Sequence, residues 1–114
     1  MEDCVFCKIA EGIIPSNKVY EDEVALAFRD LNPQAPQHIL VIPKQHVANL
    51  LEAQQLDDGV LAHLLRVAAK VAEELGLDKS GFRIVSNCGA DACQSVQHLH
   101  IHVLGGEKLS EKMA

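Results

Sequence analysis

The stretch Gln97-His98-Leu99-His100-Ile101-His102-Val103-Leu104 places a histidine at every second position, with an aliphatic residue between neighbouring histidines. Because side chains of a β-strand alternate between its two faces, the pattern predicts a strand over residues 96–104. The aliphatic side chains then fill the core, and the three histidines share the opposite face. A core needs only the aliphatic side, so the histidine side indicates a chemical function.

A metal site is one interpretation of the three histidines. In a strand, however, His98 and His102 lie about 13 Å apart at ~3.3 Å per residue. That separation is too long for both to reach one tetrahedral zinc ion with bonds of about 2 Å. We therefore expect the histidines to have different roles, in which one binds a metal and another reacts. A solvated histidine face without function is the alternative.

The composition is that of an ordinary soluble globular protein. The chain has 114 residues, 48% hydrophobic and 23% charged, which suits one domain over residues 1–114. The net charge of −6 argues against a general nucleic-acid or membrane-surface binder. The acidic start and the lack of an apolar run of ~20 residues predict a cytoplasmic protein without a signal peptide or membrane span. The four cysteines are then expected as thiols.

The rest of the chain predicts an α+β fold, in which the helices cover one side of an antiparallel β-sheet of about five strands. The expected strands span residues 18–21, 24–28, 38–42, 82–86 and 96–104. Helical segments are expected over 4–11, 46–51 and 58–75, the long one ended by Gly76. The long helix carries an apolar stripe that we assign to the core: Leu61, Leu64, Leu65, Ala68, Val71, Ala72 and Leu75.

His100, the middle histidine, is the best candidate for a nucleophile. An imidazole with an unperturbed pKa of ~6.5 is largely neutral at pH 7, so one ring nitrogen keeps a free lone pair. His102 is close enough to hydrogen-bond an anion held at the same place. The loop 87–95 leads into the histidine run, and Gln94 and Ser95 supply neutral donors beside it. These features favour phosphoryl or nucleotidyl transfer.

Familiar phosphate-binding motifs are missing from the sequence. It contains neither G-x-x-x-x-G-K-[ST] nor a G-x-G-x-x-G that follows a strand. It also lacks a carboxylate cluster suited to paired Mg²⁺ ions. We therefore expect the histidine nucleophile to act without a catalytic metal.

Cys4 and Cys7 form a C-x-x-C pair that two histidines would complete to a structural zinc site. A thioredoxin-like redox pair would instead open a helix after a strand, whereas this pair opens the chain. We assign His46 and His98 to zinc, because His98 lies at the end of the histidine run away from His102. Two free buried cysteines are the alternative.

Several motifs together resemble a known family. His98-Leu-His100-Ile-His102-Val103 is similar to the signature of the histidine triad (HIT) superfamily. Further matching segments are similar to its histidine triad nucleotide-binding (Hint) branch, of the zinc-containing prokaryotic type: Asp30-Leu-Asn-Pro-Gln-Ala-Pro-Gln-His38, Leu40-Val-Ile-Pro-Lys-Gln-His46, Gln94-Ser-Val and Val103-Leu-Gly-Gly106. The resemblance runs in order from residue 4 to about 106.

The resemblance implies an activity and roles for individual residues. Hint proteins are homodimers whose sheets continue across the interface, and they are purine nucleoside phosphoramidases that cleave AMP– or GMP–amine conjugates. By this resemblance His100 forms a nucleotidyl-histidine intermediate, His38 and His102 support it, and Asn87 and Ser95 assist the phosphate and the leaving group. Related branches cleave dinucleoside polyphosphates, which is one alternative, and a nucleotide-binding module with incidental catalysis is another.

The resemblance also implies two binding sites. The nucleoside pocket would be formed by Ile9, Ile14, Phe28, Arg29, Asp30 and Leu31. Asp30 suits the ribose hydroxyls, because a carboxylate accepts two hydrogen bonds from a diol. The zinc site of many prokaryotic members falls on Cys4, Cys7, His46 and His98.

The chain also departs from the family's pattern. Cys93 replaces the familiar glycine before Gln-Ser, and Cys88 replaces an acidic residue. Arg29 stands where histidine or tyrosine is common, so base preference is open. The ending Glu107-Lys-Leu-Ser-Glu-Lys-Met-Ala114 lacks the Trp-Pro-Pro-Gly tail of the branch, so specificity is expected to be looser.

Overall fold

Five strands form one antiparallel sheet, as the sequence predicts. The computed structural model describes residues 3–112. The two termini of the predicted domain, residues 1–2 and 113–114, lie outside the described residues. The strands are β1 (Lys18–Glu21), β2 (Ala25–Arg29), β3 (Gln37–Pro43), β4 (Phe82–Val85) and β5 (Ile101–Gly105), in the spatial order β1-β2-β3-β5-β4. The helices are α1 (Val5–Ala10) and α2 (Asp58–Glu74), with 3₁₀ turns at Glu52–Gln55 and Ala90–Ala92.

Strand β3 lies at the centre of the sheet, because its apolar run from His38 to Pro43 is buried throughout. It pairs with β2 on one side and with β5 on the other. In the second pairing His38 lies opposite Leu104 and Leu40 lies opposite His102. This register makes His38 and His102 diagonal neighbours across the two strands.

The two helices cover opposite faces of the sheet. The α2 side buries Ala25 and Ala27 of β2, whereas Leu26 and Phe28 of the same strand pack against α1 on the other side. The expectation that the helices share one side is therefore wrong. Both faces of β2 and β3 are apolar, so each face needs its own cover.

Helix α2 has the length and the capping glycine that the sequence predicts. It ends at Glu74, and Gly76 follows with φ +78°. Most of the predicted apolar stripe is buried, but Leu65 is 51% exposed and Val67 is buried instead. Val67 lies three residues after Leu64 and four before Val71, which places it on their face, whereas Leu65 is turned away by ~100°.

The histidine strand is shorter than predicted. Strand β5 begins only at Ile101. Before it, the N–H of Leu99 donates to the carbonyl oxygen of Val47 at 2.7 Å, and Val47 lies beyond the end of β3. The alternation of faces still holds, because Leu99, Ile101 and Val103 lie in the core under α2. The expected helical turn over 46–51 is also displaced, to the 3₁₀ turn at Glu52–Gln55. Within residues 3–112, the helices are too short or too polar to cross a bilayer.

Candidate active site and metal centre

His38 and His102 form a directed pair of imidazoles. The N–H of Gln34 donates to His38 Nδ1 at 3.0 Å, so the proton of the neutral His38 ring lies on Nε2. That nitrogen lies 2.8 Å from His102 Nδ1 and donates to it. The proton of His102 therefore lies on its own Nε2, which is left as a donor for another group.

Both members of this pair are held in the neutral form. Burial, with the nearby His100 and His38 rings, lowers the pKa of His102 to about 4. Burial also lowers the pKa of His38, although Asp30 Oδ2 at 3.5 Å from its Nε2 acts in the opposite direction. At pH 7 the pair is a chain of neutral donors that ends at His102 Nε2.

His100 has its lone pair on the nitrogen that a nucleophile needs. Its Nδ1 lies 2.7 Å from the carbonyl oxygen of His98 and donates its proton there, so the lone pair of the neutral ring lies on Nε2. The ring is buried between Phe6, at a centroid distance of 5.2 Å, and His102, at 5.0 Å. His100 is thus fixed in one tautomer and one orientation.

A cavity of about 250 Å³ lies beside His100 and His102. It brings together many of the residues predicted for the substrate site: Ile9, Ile14, Phe28, Arg29, Asp30, Leu31 and Ser95. The wall also contains residues that the sequence did not single out: Val5, Phe6, Pro15, Ser16, Asn17, Leu40 and Val96. Phe6 was detectable in principle, because it lies three residues before Ile9 and so shares its helix face.

Asp30 presents a fixed carboxylate to this cavity. Its Oδ1 accepts the N–H of Asn32 at 2.8 Å, and its Oδ2 lies close to His38. The side chain therefore has one oxygen held by the turn after β2. Asp30 lines the cavity, and its carboxylate has further acceptor capacity for a ligand there.

Two predicted substrate contacts lie outside the cavity, and a third, Arg29, lines it with its guanidinium already hydrogen-bonded. Gln94 donates from Nε2 to Ala48 O at 2.7 Å and to Val96 O at 2.9 Å, so both amide protons are used to hold the loop. Neither Gln94 nor Asn87 lines the cavity. The guanidinium of Arg29 donates to Gln37 Oε1 at 2.9 Å, which ties it to β3.

The predicted zinc ligands converge on one point. Donor atoms of Cys4, Cys7, His46 and His98 all lie within 4.8 Å of one another. Cys4 Sγ is 3.2 Å from His98 Nδ1, and Cys7 Sγ is 3.2 Å from His46 Nδ1. Bonds of ~2.0 Å to nitrogen and ~2.3 Å to sulfur in a tetrahedron produce separations of this size.

The protonation of the centre also fits a metal ion. His98 Nε2 donates to Pro43 O at 2.8 Å, so its Nδ1 lone pair faces the two sulfurs. Burial and the neighbouring Cys4 raise the pKa of the Cys7 thiol to about 11. Two adjacent thiolates therefore need a cation to be stable together. Zinc bound here would link α1 to the segments carrying His46 and His98.

A second group of metal-ligating types, Asp30, His38 and His102, has atoms equally close together. It does not fit a metal ion, because the nitrogen of His38 that faces the group carries a proton. That proton is fixed there by the N–H of Gln34 on the other ring nitrogen. The group is suited to directing protons instead.

Fold and site together define a histidine triad protein. The HIT domain family matches residues 11–109, and the chain belongs to this family. A solved histidine triad protein from Clostridium difficile is 50% identical, with a TM-score of 0.94 over 99% of this chain and 98% of that one. A HIT family hydrolase from Legionella pneumophila is 44% identical, with a TM-score of 0.93 over 96% and 98%. A 14 kDa zinc-binding protein from Zea mays is 49% identical over 108 residues, covering 93% of this chain and 84% of the maize protein.

Proposed function

We propose that the protein is a purine nucleoside phosphoramidase of the Hint branch, which hydrolyses the P–N bond of AMP– or GMP–amine conjugates. One observation carries the proposal: His100 lies at the wall of a cavity of about 250 Å³, and its Nδ1 hydrogen bond to His98 O leaves Nε2 of the neutral ring with the lone pair. A buried neutral imidazole is a good nucleophile toward phosphorus and afterwards a good leaving group. The Legionella relative, described as a HIT family hydrolase, is consistent with this chemistry.

The reaction proceeds in two displacements. The Nε2 lone pair of His100 forms a bond to phosphorus, the P–N bond breaks, and the amine leaves with that electron pair and one proton. Water then attacks phosphorus and loses a proton, which replaces the one given to the amine, and Nε2 of His100 leaves with the electron pair of its bond. The net change adds one water and releases amine and nucleoside monophosphate, with two inversions at phosphorus.

The other groups of the site support these steps. The carbonyl oxygen of His98 stabilises the positive charge that develops on the His100 ring. His102 Nε2–H is positioned to bind negative charge developing on the phosphate oxygens, as a neutral donor in a buried site does most effectively. Ser95 lines the cavity and is the candidate for delivering a proton to the amine. Asp30 accepts hydrogen bonds from the ribose hydroxyls.

Zinc is proposed as a structural ion, held by Cys4, Cys7, His46 and His98. All four ligands come from the protein, which is the arrangement of closed structural sites. The zinc-binding relative from maize supports this choice of metal. No step of the reaction passes through the ion. The protein is proposed to work in the cytoplasm, whose reducing conditions keep the four cysteines as thiols.

A homodimer is proposed through the β4 edge of the sheet. Within residues 3–112 strand β4 pairs on one side only, and its Phe82 and Ile84 are 41% and 44% exposed. The opposite edge, β1, carries Lys18 and Glu21, charges of the kind that block edge pairing. Two β4 edges joined in an antiparallel manner would continue the sheet across the interface.

The test is hydrolysis of a fluorogenic adenosine phosphoramidate by the wild type and by His100→Ala, without added metal. Turnover that falls at least a thousandfold in the variant, roughly 4 kcal/mol of transition-state stabilisation, would support the proposal. Binding of AMP without hydrolysis of the phosphoramidate would contradict it. Dinucleoside polyphosphate cleavage and nucleotide binding alone would then be the remaining explanations.

A further inference from the structure

Ser16 has a buried hydroxyl that the protein leaves unpaired. Within residues 3–112, its Oγ is the one buried side-chain nitrogen or oxygen atom without a hydrogen-bond partner. The residue lies in the wall of the cavity beside His100, which we call the nucleoside cavity. A buried hydroxyl without a partner destabilises a protein, because it has lost its hydrogen bonds to water. At the wall of a cavity, such a group indicates that a ligand supplies the partner.

The pairing of β1 with β2 places Ser16 beside Asp30. The N–H of Arg29 donates to the carbonyl oxygen of Asn17 at 2.9 Å, one step beyond the last regular pair of these strands. The next positions in this register are Ser16 and Asp30, and direct neighbours across two strands have Cβ atoms about 5 Å apart. Asp30 shares the sheet face of Phe28, two residues before it, and both line the nucleoside cavity. Ser16 is therefore the neighbour of the carboxylate that we assign to the ribose.

A buried ribose needs donors as well as acceptors. Each ribose hydroxyl donates one hydrogen bond and accepts others, whereas an ionised carboxylate only accepts. Asp30 can therefore bind the protons of the ribose hydroxyls, but it leaves the lone pairs of their oxygens without a donor. A serine hydroxyl both donates and accepts. Ser16 is thus able to supply a donor beside Asp30.

The hydroxyl of Ser16 has to turn in order to reach a ligand, because Oγ is shielded from solvent in the free protein. A serine side chain has three staggered positions about its Cα–Cβ bond. No protein group holds Oγ in its present position through a hydrogen bond. A ribose hydroxyl that offers such a bond would therefore draw Oγ into the cavity.

We propose that Ser16 is a ribose-binding residue, whose hydroxyl donates a hydrogen bond to a ribose hydroxyl oxygen while Asp30 accepts the proton of that same hydroxyl. This inference rests on the proposed function, since it takes the nucleoside to lie in this cavity. It adds a contact that favours ribonucleotides over deoxynucleotides. The unpaired hydroxyl destabilises the free protein, and the bound ribose removes that destabilisation.

Ser16→Ala should have opposite effects on stability and on binding. The Tm of the free protein should rise by about 4 °C, because an unpaired buried polar atom is removed. The Kd for AMP should rise about fivefold, as for the loss of one neutral hydrogen bond. Ser80→Ala makes the same change at an exposed serine outside the cavity, and it should alter neither quantity. Calorimetry measures both Tm and Kd.

Titration with 2′-deoxy-AMP and 3′-deoxy-AMP tests whether the ribose is the partner of Ser16. The wild type and Ser16→Ala should bind one of these analogues with Kd values within about twofold, because that analogue lacks the hydroxyl that Ser16 binds. The same loss of affinity for AMP and for both analogues would overturn the inference, since the partner would then lie on the base or the phosphate. An unchanged Kd for AMP, or a lower Tm, in Ser16→Ala would overturn it as well.

The binding measurements separate this inference from the proposed function. Binding of AMP that depends on Ser16 and on a ribose hydroxyl supports the inference even if the wild type hydrolyses no phosphoramidate, a result that contradicts only the proposed function. Hydrolysis that depends on His100, with equal AMP binding by the wild type and Ser16→Ala, overturns only the inference. A wild type that does not bind AMP contradicts both.

Discussion

The carbonyl oxygen of His98 lies 2.7 Å from Nδ1 of His100, while the ring Nδ1 of the same His98 lies 3.2 Å from Cys4 Sγ. One residue therefore orients the candidate nucleophile through its main chain and faces the proposed metal through its side chain. Phe6 lies between the two cysteines in sequence. The centroid of its ring is 6.0 Å from that of the His98 ring and 5.2 Å from that of the His100 ring. The metal centre and the nucleoside cavity thus share α1, and His98 connects the metal centre to the candidate nucleophile.

Removing the metal centre should weaken both stability and nucleotide binding. Cys4→Ser/Cys7→Ser is expected to lose one equivalent of zinc, and each kcal/mol lost would lower Tm by about 4–8 °C for a domain of this size. The Kd for AMP should rise, because Val5, Phe6 and Ile9 of α1 line the cavity. Calorimetry measures Tm and the Kd for AMP, and metal analysis measures the zinc content. Cys93→Ser, an exposed thiol outside the cluster, is the control. One equivalent of zinc retained in the double variant would contradict the assignment.

The direction of the His38–His102 hydrogen bond should matter for catalysis. His38→Phe removes the Nε2 donor, so His102 would no longer be fixed with its proton on Nε2. We expect kcat to fall about 100-fold, at the lower end for losing an electrostatic donor. His38→Gln, whose amide can donate to His102 Nδ1, should recover part of the loss. Steady-state kinetics with a phosphoramidate substrate would measure kcat for each variant. Equal kcat values for the wild type and His38→Phe would contradict the role of His38 as the donor to His102.

The alternating faces of the histidine run follow from local rules, and the sequence therefore predicts them. The α2 boundaries are equally local, since they depend on apolar spacing and on Gly76. Other features depend on contacts that the sequence does not specify. The early end of β5 depends on Leu99 N–H donating to Val47 O, and the role of Gln94 depends on the carbonyl of Ala48.

The set of metal ligands and the tautomers of the histidines differ in how far the sequence predicts them. That Cys4, Cys7, His46 and His98 lie together follows from the resemblance and from the types of ligand, and the structure confirms their proximity. The tautomers did not follow from the sequence, because they are set by Gln34 N–H and by two carbonyl oxygens. Those donors and acceptors are main-chain groups, which every residue type possesses.

Acidification should destabilise the fold within a defined pH window. The pKa of His102 in the folded state is about 4, against an ordinary value near 6.5, so the unfolded chain binds more protons between these values. The free energy of unfolding should therefore fall as pH decreases from about 6.5 to about 4, by up to about 1.4 kcal/mol per pH unit. Above pH 6.5 His102 should have no effect on the pH dependence of the free energy of unfolding. Denaturant unfolding measures the slope, and His102→Gln should reduce it. An unchanged slope in that variant would contradict the assignment.

Cys93 has a backbone conformation that favours glycine. Its φ is +61° and its ψ +38°, the left-handed region, where a side chain costs about 1 kcal/mol. Cys93→Gly should therefore stabilise the protein by up to about 1 kcal/mol, less the entropy that glycine gains in the unfolded chain. Cys93→Ser keeps the Cβ atom and should leave Tm unchanged, which separates strain from loss of the thiol. Thermal unfolding of both variants is the measurement. A Tm for Cys93→Gly below that of Cys93→Ser would contradict the strain argument.

The β4 edge should determine the oligomeric state. Ile84→Lys places a charge on the edge strand whose Phe82 and Ile84 are exposed, and charged edge residues oppose strand pairing. We expect the wild type to sediment as a dimer and Ile84→Lys as a monomer. Ile13→Lys makes the same chemical change at a residue that is 65% exposed just after α1, and it should remain dimeric. Sedimentation equilibrium distinguishes the two. A dimeric Ile84→Lys, or a monomeric wild type, would exclude pairing through β4, because an ammonium group in that position cannot be buried between two apolar edges without a partner charge.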